Sequence, residues 1–237
     1  KNESRGSMQV ERFAPKMLPS QLFALLLLVS SAAVAQEPPQ WVNYNRMLEV
    51  ATGTHQQNYL EQDRNDLTAD GILDSETGNQ SALSASLRWQ TASGWLVHLQ
   101  AQRQSGVTDY SGYLQSGNGS ITPYRAHTGN TATQFSIHFG YALNAGTWAA
   151  LPAIWQITPL VQLSQQHWQR NLVQYSEYYT FNTYAAGALL QWEPRPGTVL
   201  EAQALAGRTS SASVNVPALD FATRQPGGNY RALQMGV

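Results

Sequence analysis

Hydrophobic and polar residues alternate one by one along most of this chain. At 83–89 the apolar positions are Leu83, Ala85, Leu87 and Trp89, with Ser84, Ser86 and Arg88 between them. The same pattern runs through 95–101, through 135–143 and through 155–163, and at 184–192 the even positions Tyr184, Ala186, Ala188, Leu190 and Trp192 carry it. Across these five segments all 23 positions of one parity are apolar, while 11 of the 18 between them are polar. Successive side chains point to opposite sides only in an extended strand, so the pattern predicts β-strands with one oily face. Three weaker segments, about 46–54, 198–208 and 229–237, complete a set of eight; the other five extend to about 81–90, 95–103, 133–143, 154–165 and 182–192.

The connections alternate as well. Short turns are expected around Thr91–Gly94, Asn144–Ala153 and Glu193–Gly197, and long solvated loops at 55–79, 104–131, 168–181 and 209–228. Short turns at one end and long loops at the other describe an antiparallel up-and-down meander.

Which face meets what is decided by the aromatics. Trp89, Trp95, Tyr141, Trp155 and Trp192 lie on the apolar parity beside the short turns, and Phe135 and Tyr184 close the same face at the other end. Leu, Ile, Val and Ala fill the middle. A soluble core has no need to sort its Trp residues to the ends; a lipid-facing band does, because Trp and Tyr favour the headgroup level. Strands of about 9–10 residues are long enough to cross a bilayer at a tilt. Only a closed sheet leaves no unpaired backbone in lipid.

An apolar run, Leu22–Val29, precedes this pattern, follows Arg12 and Lys16, and ends in Ala33-Val34-Ala35. Its 14 apolar-to-small residues, 22–35, fall short of the about 20 that a spanning helix needs. Residues 1–35 therefore read as a leader with a secretory signal peptide, cleaved after Ala35, with Met8 as the start, and 36–237 as the β domain.

Composition then narrows the chemistry. The 237 residues include no cysteine, which excludes disulfide frameworks, thiolate metal sites and cysteine nucleophiles. From Gln36 onward there are ten Arg, no Lys and thirteen acidic residues, so no basic field offers itself to nucleic acid. The chain resembles bacterial outer-membrane β-barrel proteins in its signal, alternating strands, aromatic girdles and unequal connections. That resemblance covers about 45–237 and implies an outer-membrane location, insertion by the barrel-assembly machinery, and contact with membrane lipid and lipopolysaccharide. Members of that class usually end in an aromatic residue, whereas this chain ends in Val237, so eight strands is a lower bound.

Two clusters are candidates for chemistry. Ser86, His98 and His138 each lie three residues from a girdle aromatic, which would place a serine and two histidines at one height facing the interior. A serine beside a histidine can act as nucleophile and base. A polar lumen network is the simpler explanation, so no catalytic residue and no cofactor is assigned. Asp66, Asp70, Asp74 and Glu76 surround Gly71 in the first long connection and loosely suggest a cation loop. Thr68 and Thr77 stand where calcium ligands are required, so an acidic solvated loop is expected instead. The aromatic stretch 167–181 and the Tyr- and Gly-rich stretch 112–124 are expected at the surface. We therefore expect a non-enzymatic integral outer-membrane β-barrel with a structural, surface-interaction or minor-pore role. The alternatives are a membrane-embedded hydrolase or acyltransferase acting on lipid, and a soluble periplasmic lipocalin-like barrel holding an apolar ligand.

Overall fold

Alternation becomes a single antiparallel sheet. The computed structural model describes residues 40–62, 68, 71–115, 120–144 and 154–237. The leader, the run 22–29 and the cleavage position after Ala35 lie outside them. A short helix, α1 (Gln40–Tyr44), leads into β1 (Met47–Gln62), β2 (Ile72–Gln90), β3 (Trp95–Gln115), β4 (Ile121–Tyr141) and the brief β5 (Leu143–Asn144). β6 (Trp155–Asn171), β7 (Ser176–Arg195), β8 (Thr198–Thr209), β9 (Ala212–Val216), β10 (Phe221–Gln225) and β11 (Asn229–Gly236) follow. The order across the sheet is β1-β2-β3-β4-β6-β7-β8-β11, an up-and-down path through the eight strands expected from the alternation.

The turns expected at Thr91–Gly94 and Glu193–Gly197 are found there, while the one at Asn144–Ala153 falls almost wholly outside the described residues. Gly94 and Gly197 take φ +97° and +82°, the left-handed backbone that a side chain resists. The connections at the other end depart from expectation. Most of 55–79, 104–131 and 168–181 is strand, because β1–β2, β3–β4 and β6–β7 continue as paired ladders well past the apolar segments. The reason lies in the residues. In Gln102–Ser111 both faces are largely polar, so the hydropathy period disappears while the backbone goes on pairing. The expected loop 209–228 holds a hairpin, β9–β10, turned by Pro217–Leu219, and β9 lies back against β7 at Tyr178–Thr180.

The apolar parity faces outward. Leu48, Leu87, Ile137, Val161 and Leu163 are exposed, as are Trp89, Trp95, Phe135, Tyr141 and Tyr184. The opposite parity is buried and mostly polar: Gln156 and Gln191 are 0% exposed, and Arg88, His98, His138 and Gln162 are all buried. Three leucines on that parity, Leu96, Leu160 and Leu189, are buried too; the last two pack with Ala185 and Leu205. Along the turn end, Trp155 stacks on Trp192 at 5.2 Å, Trp95 lies against Phe139 and Tyr141, and Arg46 sits 4.7 Å over Trp89.

The sheet curls but is not closed into a barrel. The path ends at β1 on one side and β11 on the other, and no ladder joins them. The expected barrel is corrected to this extent: closure needs a β1–β11 pair that is not formed.

Close packing of β7 on β8 depends on a missing side chain. Gly187 faces Leu205, and a Cβ there would run into the carbonyl oxygen of Ala204. Gly187→Val is expected to cost about 1–3 kcal/mol, measured as a lower midpoint in denaturant unfolding.

Candidate functional site

The inward parity of the sheet builds two polar layers, one near each end. The turn-end layer is centred on Asn45, the residue after α1. Its Nδ2 donates to Oε1 of Gln90 (2.6 Å) and of Gln191 (2.9 Å), and its Oδ1 accepts from Gln191 Nε2 (2.9 Å) and Arg88 (3.3 Å). Gln156 joins the set by donating to Gln90 and Gln191 at 3.1 and 2.9 Å. Arg88 of β2 also reaches Glu201 of β8. Trp41 and Val42 of α1 are buried, and Tyr44 donates to Glu193 at 2.7 Å, so the helix stoppers this end. Amide side chains suit such a layer because each both donates and accepts.

The second layer lies far up the hairpins, beyond the apolar belt. Arg170 of β6 is its hub. Its guanidinium contacts Asp74 (3.3 Å) and Glu76 (2.5 Å) of β2 and Glu177 of β7 (3.0 Å). It lies 5.3 Å over the rings of both Tyr59 and Tyr110. Glu76 accepts from Thr108 at 2.9 Å, Asn130 donates to Thr108 at 2.7 Å, and Trp168 donates to Asn130 at 2.8 Å. Trp168 stacks on Tyr179 at 4.6 Å, and Tyr179 donates to Glu177. Strands β1, β2, β3, β4, β6 and β7 are thus tied together across the interior.

Three carboxylates around one guanidinium leave the layer over-supplied with negative charge. Burial pushes the Asp74 carboxyl up to about 7, with Glu61 and Glu76 adding to the rise and Arg170 opposing it. One Asp74 oxygen, Oδ1, has no hydrogen-bond partner among the described residues. Burial likewise raises Glu61, Tyr59 and Tyr179. Burial alone would lower Arg170, but its carboxylates raise it well above the ordinary value, so it stays charged.

The sequence candidates fall as follows. His98 and His138 are directly paired across β3–β4, with ring centroids 5.0 Å apart. Ser86 is not level with them. It faces Gln100, one inward position further from the turns, and makes no hydrogen bond with either histidine. Trp89 faces Val97, not Trp95, so reading the two tryptophans as level placed the serine one row too low. His138 instead meets Gln203 at 3.5 Å, at the limit of a hydrogen bond.

Asp66 and Asp70 lie outside the described residues. Asp74 and Glu76 are not in a solvated loop: both are buried in β2, with Arg170 as their cation. No group of three or more potential metal ligands is formed among the described residues.

Alternation did not single out Arg170, Gln90, Gln156, Gln191 or the α1 stopper. Continuing the inward parity of β6 beyond Leu163, through Ser164, Gln166 and Trp168, would have reached Arg170.

Comparison with protein-family models, curated proteins and solved structures found no match to this chain.

Asp74 gives a pH prediction. Its folded-state value lies above the unfolded one, so the fold loses stability as pH rises from about 4 to about 7 and the carboxylate ionises in a buried site. Asp74→Asn is expected to be more stable than wild type at pH 8, by on the order of 1–2 kcal/mol, or several degrees in melting temperature. The difference should fade at pH 4. Thermal unfolding at the two pH values checks both.

Proposed function

We propose that this chain is an integral outer-membrane β-barrel with an occluded interior, exported by its leader and serving as a membrane-embedded scaffold that carries its hairpins above the bilayer. The observation that carries this reading is the inverted polarity of the sheet. Ionised and amide side chains are buried and bonded to one another, while Leu48, Leu87, Ile137, Val161 and Leu163 face out. Water does not favour that arrangement; hydrocarbon does. The aromatic residues at the two edges of the belt add to it. Interior layers at both ends favour a plugged barrel over a minor pore. A lipocalin-like reading has less support, because the apolar side chains a greasy ligand would touch lie on the outside.

Closure in the membrane follows from the stagger of the strands. On the ladder path from β2 to β8, Arg88 leads through His98, His138, Gln162 and Ala185 to Gly207. The residue it contacts across the interior is Glu201, six positions nearer the turns. Five steps around the sheet thus displace the level by six residues, a little over one per strand, so an eight-strand barrel closes with a shear of about ten. β1 then meets β11 antiparallel, with Thr52 opposite Met235 and Thr54 opposite Leu233. Unpaired backbone in lipid costs several kcal/mol per group, which drives the pairing.

Two measurements test this. The chain without its leader is expected to float with lipid vesicles, to aggregate in detergent-free buffer, and to give no steady conductance in planar bilayers. A monomer that stays dissolved in plain buffer overturns the membrane reading. In this cysteine-free chain, Thr52→Cys with Met235→Cys is expected to cross-link within one molecule; cross-links only between molecules would mean that the two edges pair with other copies.

A further inference from the structure

The outward belt has an uneven upper border. On β3, Arg103 is exposed two residues beyond Ala101, which faces Phe135, so it stands at the level of the aromatic edge. On β8, Arg208 is exposed directly opposite Tyr184. On β11, Arg231 is exposed opposite Ala206, diagonal to Arg208. None of the three has an ion-pair partner among the described residues. β6 and β7 carry only Gln165, Asn182 and Tyr184 at this height. The nearest exposed acid on β3, Asp109, lies six residues further from the belt and is held by His127 at 2.9 Å.

In the closed register Arg231 falls beside Gln56 of β1, and Thr52 leads through Leu83 to Arg103. The three guanidiniums then form one arc over β8, β11, β1, β2 and β3, with the seam in its middle.

An arginine facing hydrocarbon at mid-depth is costly, but at the border its stem lies along apolar surface while its head reaches the headgroups. The guanidinium fork matches the oxygens of a phosphate. Immediately on the turn side of Arg103, the outward face is hollowed by a shallow depression of about 760 Å³. Ala85 and Ala101, paired across β2–β3, are its small residues; Leu87, Leu99, Phe135 and Tyr184 are among its larger ones.

We propose that Arg103, Arg208 and Arg231 form a docking arc for the phosphate-bearing head of a membrane lipid, with an acyl chain of that lipid lying in the depression below. This rests on the membrane reading, and names the lipid chemistry that the barrel prefers.

The test compares spin-labelled phosphatidic acid with spin-labelled phosphatidylcholine around the protein in phosphatidylcholine vesicles. At low salt the wild type is expected to favour the phosphatidic acid about tenfold, with each arginine contributing up to about fivefold and salt weakening the preference. The triple variant Arg103→Gln, Arg208→Gln, Arg231→Gln should insert equally well and retain less than about a twofold preference. Arg125→Gln, on β4 higher above the belt, should keep the wild-type value.

An unchanged preference in the triple variant overturns the arc, as does an equal loss in the Arg125 variant. Abolition of the preference by a small excess of inorganic phosphate would show a free-anion site and overturn the lipid assignment. Failure of the wild type to enter the vesicles is a different result, and sinks the membrane reading itself.

Discussion

Charge can be kept inside a narrow ring of strands only if opposite charges meet across it. That constraint organises this molecule. Arg88 meets Glu201, and Arg170 meets Asp74, Glu76 and Glu177. The contacts of Arg88 with Glu201 and of Arg170 with Asp74 and Glu76 join strands that are not neighbours in the sheet, so they fix curvature and relative height as well as satisfying a side chain. Removing Arg88, Arg170 or Glu201 would strand its partners in a medium that solvates them poorly, typically a loss of several kcal/mol. With the interior so committed, the remaining parity has to be apolar and has to face out.

The two layers solve the problem differently. Near the turns, neutral amides share hydrogen bonds around Asn45, and one ion pair suffices. Above the belt, one guanidinium is surrounded by carboxylates and by the rings of Tyr59 and Tyr110. That crowding holds a proton on Asp74 at nearly neutral pH, because burial penalises the fourth charge more than a single arginine repays. The hairpins that carry this layer are pinned by side chains as well as by their ladders.

Much of this was legible in the residues because a strand's period of two is unambiguous where one face is greasy. The outward placement of Leu87, Ile137 and Val161 follows from parity plus the sorting of Trp89, Trp95 and Trp192. The paired extensions of the hairpins were not legible, since residues such as Gln102–Ser111 are polar on both faces and look like a solvated loop. Height was misjudged for a related reason: strands in a curled sheet are staggered, so Trp89 and Trp95 flank one turn without being level, and Ser86 was set beside histidines it does not meet. Asp74 and Glu76 looked like surface acids because their partner, Arg170, is almost a hundred residues away. That β1 and β11 stand unpaired at the two edges could not have been foreseen from alternation, which is silent about whether a sheet joins itself.

The buried helix ahead of β1 has a consequence for assembly. Trp41, Val42 and Asn45 are buried, and Asn45 is bonded to Gln90 of β2 and Gln191 of β7. A ring already sealed would have to admit them through its end, past Glu193 and the Tyr44 hydroxyl that it holds. It is easier for the stopper to be laid in while the flanks stand apart. In the barrel proposed above, the zipping of first strand to last then becomes the closing act of folding, performed around an occupant already seated.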